Sequence, residues 1–199
     1  MLFAVLFACS GADVAEAPPA AVTELEAPAP LQVSSDLPDG IAVDAAGSSI
    51  GFVGAKVTGS HDGGFKGFDG VLQVEGDAPT GTTFVIDMGT TWADSEKLAG
   101  HLKKEDFFFV ELHPVSRFES TSIVADGDGY NVTGMLTLRG QVKQVSFPAE
   151  IAQGDDGAWT LKSEFSMNRK VWGIEFAGKP DDLIKDDVLI KLDLAFPAS

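Results

Sequence analysis

The residues of this 199-residue chain best suited to chemistry are three histidines, one cysteine and several adjacent acid pairs. His61 stands beside Asp62 in a Gly-rich stretch, His101 one position before Leu102, and His113 directly before Pro114. A zinc site on a helix needs imidazoles on one face, in spacings such as H-x-x-x-H or H-E-x-x-H. Neither spacing occurs. Hairpin and helix-packing hydrogen bonds are therefore the roles favoured for the histidines, with acid–base work by His61 or His101 left open as an alternative. A serine nucleophile wants a strained G-x-S-x-G turn and phosphate binding wants a Gly-rich loop opening a helix; the chain has neither. Glu105-Asp106, Asp155-Asp156, Asp181-Asp182 and Asp186-Asp187 lack EF-hand spacing and flank turns, which suits solvated loops better than calcium ligands. No catalytic residue, metal or cofactor is expected from these patterns, and the sequon Asn131-Val132-Thr133 reads as strand.

Charge narrows the partners. With 30 acidic and 14 basic residues the net charge is −16. Nucleic-acid binding needs clustered Lys and Arg, so it is excluded as a function. Charge alone will not hold the chain to anionic head groups either. A single cysteine, Cys9, forbids an intrachain disulfide, so the fold must rest on its core.

That cysteine has a particular context. Residues 1–8 are an apolar run ending in a small residue, and L-F-A-C resembles a bacterial lipobox, with cleavage before Cys9 and acylation of its thiol. Residues 9–40 are rich in Ala, Pro and Glu, including Pro18, Pro19, Pro28 and Pro30. Such a composition suits an extended tether. The expectation is an exported lipoprotein, held in the cell envelope through Cys9 and facing the periplasm, on the outer membrane in a Gram-negative cell.

Residues 41–199 read as one all-β domain. Turn formers recur at Glu75-Gly76-Asp77, Asp126-Gly127-Asp128-Gly129, Arg139-Gly140-Gln141 and Gly154-Asp155-Asp156-Gly157. Between them apolar residues alternate, as in Val145, Phe147, Ala149 and Ile151, or Val188, Ile190, Leu192, Leu194 and Phe196. Lys191 and Asp193 point the other way, so one face is dry and the other wet. The pattern predicts an antiparallel sandwich or barrel. One helix is expected near 94–104, capped by Asp94-Ser95, with Leu98 and Leu102 on one face and Lys103 and Lys104 in its last turn.

Several ordered motifs then resemble the YceI-like family: G-S-H-D-G-G-F-K-G-F-D-G (59–70), H-L-K-K-E-D-F-F-F-V-E-L-H-P (101–114), R-F-E-S (117–120), V-T-G-M-L-T-L-R-G (132–140), M-N-R-K-V-W-G-I (167–174) and L-I-K-D-D-V-L-I-K-L-D-L (183–194). Arg139 and Lys170 depart from what is common there. The resemblance implies an extended, eight-stranded antiparallel lipocalin-like barrel with one short helix between strands. It also implies non-enzymatic binding, transport or storage of a long-chain isoprenoid or quinone-type lipid inside it.

Period-2 faces combined with that resemblance nominate a pocket lining. The N-terminal half contributes Phe52, Phe68, Leu72, Phe84 and Ile86, and the helical region Leu98, Leu102 and Phe107. The middle strands contribute Phe118, Leu136, Leu138 and Phe147. The last part contributes Trp159, Phe165, Trp172, Ile190 and Leu192. Trp172 is read either as closing the pocket or as a partly buried side chain with a satisfied N–H. The segment Lys179, Asp181, Asp182 and Lys185 is a candidate rim loop. Two other readings remain: an envelope structural or partner-binding protein with a filled barrel, and an isoprenoid-modifying enzyme. About ten buried methylenes would contribute roughly 8 kcal/mol gross, about micromolar before ordering costs.

Overall fold

The computed structural model describes residues 17–24 and 34–198. The signal-like segment, Cys9 and much of the expected tether lie outside the described residues. The strands are β1 (Ala21–Glu24), β2 (Ile41–Ala42), β3 (Ser49–Lys56), β4 (Gly59–Phe65), β5 (Phe68–Glu75), β6 (Ala78–Asp87), β7 (Thr91–Ala93), β8 (Val115–Asp126), β9 (Gly129–Leu138), β10 (Gln141–Gln153), β11 (Trp159–Asn168), β12 (Gly178–Lys179) and β13 (Asp182–Phe196). One α-helix, α1 (Glu96–Leu102), lies between β7 and β8.

The ladder is antiparallel and runs β5-β6-β8-β9-β10-β11-β13-β3-β4. Only Lys66 and Gly67 separate β4 from β5, and a short 3-10 turn at Met88–Thr90 separates β6 from β7. β4 pairs with β7, and β5 with β6, so these are two long strands, each bent once. Counted that way, eight strands close the sheet on itself through the β4–β5 bend. Closure leaves few exposed edges, which is how an antiparallel sheet of this size avoids pairing with other chains.

The turns follow from their residues. Arg139 (φ 51°) and Gly140 (φ 70°) are both left-handed between β9 and β10, the geometry that a two-residue hairpin loop requires. Helix α1 differs from its expected form. Ser95 is its N-cap but makes no side-chain cap bond. Asp94 instead accepts from His61 Nδ1 at 2.9 Å, tying the helix start to β4. Lys103 is already the C-cap residue, so the helix ends before the two lysines.

The stretch expected to be a free tether is partly docked. β1 pairs with β10 over four residues. Arg117 Nη1 donates to Asp36 O at 2.6 Å, holding a second piece against β8. Small apolar residues and free backbone groups can complete a sheet even where composition cannot build a core.

Candidate functional site

The barrel is divided along its axis. Toward the end carrying the β5–β6, β8–β9 and β10–β11 turns, inward side chains meet in a solid core. Leu72, Val132, Leu161, Leu194 and Phe196 are each 0% exposed there. Toward the other end lies an apolar cavity of ≈ 190 Å³.

The division falls at the same level on each strand. On β10 the wall takes Val145 and Phe147, and not Ala149 or Ile151. On β11 it takes Phe165 and Met167, and not Trp159 or Leu161. On β13 it takes Val188, Ile190 and Leu192, and not Leu194 or Phe196. A row of phenylalanines marks the floor. Phe84 stacks on Phe118 (6.3 Å), Phe118 meets Phe147 (5.5 Å), and Phe147 stacks on Phe165 (4.4 Å).

Glycine decides how two of these rings lie. A Cβ at Gly70 would overlap the Phe84 ring, and one at Gly134 would overlap Phe118. Both rings therefore lie over glycines of neighbouring strands, in space that a side chain there would take.

The other end is capped by α1 and the turn after it, through Leu102, Phe107 and Phe108. Phe108, Phe52 and Phe65 form a triangle of tilted and edge-on rings, 5.8 to 6.0 Å apart. Phe109, next to them, holds φ at 50°, a left-handed conformation uncommon outside glycine. It turns the chain sharply enough for Phe107 and Phe108 to remain on the cap.

Polar atoms at the wall are mostly tied to backbone. Ser116 Oγ donates to Thr137 O at 2.7 Å. Arg169, the one charged side chain on the wall among the described residues, donates through Nη1 to Ile174 O (2.6 Å) and through Nε to Lys185 O (3.1 Å). Its Nη2 lies 3.7 Å from Asp186 and has no hydrogen-bond partner. Burial pulls the guanidinium below its ordinary value, and Asp186 opposes that shift. Arg169 thus clips β13 to the turn that follows β11.

The structure places Phe52, Phe84, Ile86, Leu102, Phe107 and Phe118 on the cavity wall. Leu136, Leu138, Phe147, Phe165, Ile190 and Leu192 join them there. It does not bring Phe68, Leu72, Leu98, Trp159 or Trp172 to that wall. Phe68, Leu72 and Trp159 point inward but belong to buried core outside the cavity. Leu98 packs half-buried on the core from α1. Trp172 matches neither reading of it: the ring is fully buried away from the cavity, and Nε1 finds no acceptor. Sequence reasoning missed Ile50, Phe65, Met88, Phe108, Val145 and Met167 as lining. Ile50, Met88, Val145 and Met167 were legible as members of alternating runs, whereas Phe65 and Phe108 come from a bend and a turn.

The histidines stand apart from the cavity. His61 binds Asp94, and His101 Nε2 binds Asp106 with its ring edge-on to Phe107 and Phe176. His113 packs on Phe109, and burial, aided by Arg139, lowers its pKa from 6.5. Among the described residues no three His, Cys, Asp or Glu side chains converge to hold a metal ion. The expected rim loop is ordered by Asp182, which accepts from Lys56 Nζ and from the Thr58 hydroxyl and N–H.

Known proteins share this architecture. The fold superposes on the crystal structure of Burkholderia cenocepacia BcnA with a TM-score of 0.69 and 25% identity, covering 77% of this chain and 98% of that one. A polyisoprenoid binding domain from Saccharophagus degradans, implicated in plant cell wall breakdown, superposes with a TM-score of 0.66 at 15% identity, covering 79% and 98%. At the sequence level, Protein YceI of Escherichia coli O17:K52:H18 is 34% identical over 122 residues, 60% of this chain and 64% of its own length. The UPF0312 protein ECA1782 of Pectobacterium atrosepticum is 36% identical over 97 residues, 47% of this chain and 50% of its own length. The match therefore spans between half and just under two-thirds of these curated relatives. The YceI-like domain model, by contrast, matches residues 42–196, which takes in the barrel from β3 to β13, its cap and its cavity: the chain belongs to the YceI-like family.

Proposed function

We propose that this protein binds a long-chain isoprenoid or quinone-type lipid in the hollow half of its barrel, carrying or storing it without catalysing a reaction. The observation that carries this reading is the cavity itself. It is walled almost wholly by aliphatic and aromatic side chains, and the hydroxyl on its wall already has a backbone partner. An apolar chain loses little by leaving water for such a site, and each buried methylene contributes about 0.8 kcal/mol. The relative described as a polyisoprenoid binding domain supports the ligand class. The absence of His61, His101 and His113 from the wall supports binding over acid–base chemistry. In this proposal the protein works in the cell envelope, exported and held through an acylated Cys9.

Extraction of the purified, non-acylated protein with organic solvent tests the reading. Stoichiometric isoprenoid lipid, or saturable uptake of added ubiquinone-8, is the expected result. Protein that carries no lipid and takes up no quinone overturns it. Palmitate labelling that survives in the native chain and vanishes in Cys9→Ser is the expected result for the anchor.

A further inference from the structure

Between β10 and β11 the barrel wall has a weak seam, and the chain's own N-terminal segment fills it. β10 and β11 run side by side but pair only over 150–153 and 159–162. Beyond that point the other edge of β10 is taken by β9, and the other edge of β11 by β13. The two edges facing each other across the seam would be bare without residues 17–24. Ala21–Glu24 pair with 143–146 of β10. On the β11 side, Ala20 N–H donates to Ser166 O (2.8 Å), and Ser166 N–H donates to Pro18 O (2.9 Å).

This segment pairs with the barrel at the level of the hollow half, although none of its own residues lines the cavity. Val22 is the direct partner of Val145, a cavity residue, and Ala20 and Val22 pack against the core. Phe147, Phe165 and Met167 line the cavity on either side of the seam. Just outside the barrel Ala17 lies on Val53, Ala55 and Leu189, three buried residues that form a cluster separate from the main core. Leu189 is out of phase with the inward face of β13, so its burial depends on a cover from outside.

The segment also has little of its own to hold it in place. Pro18 and Pro19 have no N–H to donate. Alanines bury little apolar area, so their contribution is small. It is joined to the barrel at one side of the sequence by residues 25–33 and leads, on the other, toward Cys9.

The cavity supplies the need for such an opening. At ≈ 190 Å³ it is only modestly larger than the ~150 Å³ cavities that hold a single benzene, too small for a long isoprenoid chain in the closed form. We propose that residues 17–24 are a removable stave closing a lateral entrance, and that the lipid chain passes between β10 and β11 when they withdraw. This rests on the lipid-binding reading above and adds the route and the moving part. The stretch from Cys9 to Ala17 spans at most about 30 Å extended, so an anchor at Cys9 would keep the stave within reach of the bilayer that supplies the ligand.

The test is the full chain carrying T23C/Q144C in a Cys9→Ser background, a pairing of directly opposed residues, neither of which lines the cavity, within disulfide reach. Ubiquinone-8 in phosphatidylcholine vesicles is mixed with the oxidised and the reduced forms, and quenching of tryptophan fluorescence gives the uptake rate. The expected result is uptake at least tenfold slower in the oxidised form, restored by reductant. Val22→Asp, which sets a carboxylate against the apolar wall, should speed uptake several-fold. Equal rates in oxidised and reduced forms, with both binding the quinone, overturn the stave while leaving lipid binding standing. Failure of both forms and of the Cys9→Ser parent to bind the quinone overturns the lipid-binding reading and the stave with it.

Discussion

The two halves of the barrel are built from the same alternating strands and behave as different materials. In one half Leu72, Val132, Leu161, Leu194 and Phe196 fill the lumen and are wholly buried. In the other, similar residues line a void. Hydrophobicity does not separate them. What does is where the aromatic rings lie: Phe84 and Phe118 pack over glycines on neighbouring strands at the boundary between the halves, and the cap supplied by α1 roofs the space instead of filling it. The lesson is that a sheet can carry a stabilising core and a binding chamber in series, with one row of phenylalanines as the partition.

Emptying the solid half should have the largest effect. Phe196→Ala should destabilise the fold by about 3–5 kcal/mol, because a buried ring leaves both lost transfer energy and a void; urea unfolding measures it. Enlarging a residue should separate the halves next. Val132→Phe in the filled half should cost about 1–3 kcal/mol through overpacking. Leu136→Phe, facing the void, should cost less than about 1.5 kcal/mol while weakening ubiquinone-8 binding at least tenfold. Equal destabilisation by the two substitutions would show that the chamber is not a real void in solution.

A smaller effect sharpens the picture at the capped end. Burial and Arg139 hold the His113 pKa below its ordinary 6.5, so the unfolded chain takes up that proton first as the pH falls. The stability contributed by neutral His113 is complete above the ordinary pKa and is lost as the pH drops through the depressed folded value. The melting temperature should therefore fall on acidification below about pH 6.5, and His113→Gln should flatten that part of the profile. A profile unchanged by the substitution would place the acid sensitivity elsewhere.

Much of this was legible in the residues. The Arg139-Gly140 and Asp126-Gly127-Asp128-Gly129 turns fall where their positive-φ formers stand. The inward faces of β10, β11 and β13 follow the period-2 runs, and α1 lies within its expected span. The failures have one physical origin. Alternation fixes whether a side chain points in or out, and carries nothing about its depth along the barrel axis. Phe68, Leu72 and Trp159 point inward as expected, yet lie in the core away from the chamber. Trp172 was read as closing the pocket or as partly buried with a satisfied N–H; the 3-10 turn at Arg169–Trp172 and its glycine C-cap instead turn the ring fully inside, away from the cavity.

The N-terminal stretch shows the same limit from the other side. Its Ala and Pro content signals that it cannot fold alone, and says nothing of the open edges waiting for it on β10 and β11. The strand class, the turns, the acidic character and the dry face of each strand could be read from residue order, because those depend on neighbours in the chain. The level of the chamber, its aromatic floor and the docking of residues 17–24 emerge from the assembled barrel. They depend on which strands meet, at what register, and on where two edges are left unpaired.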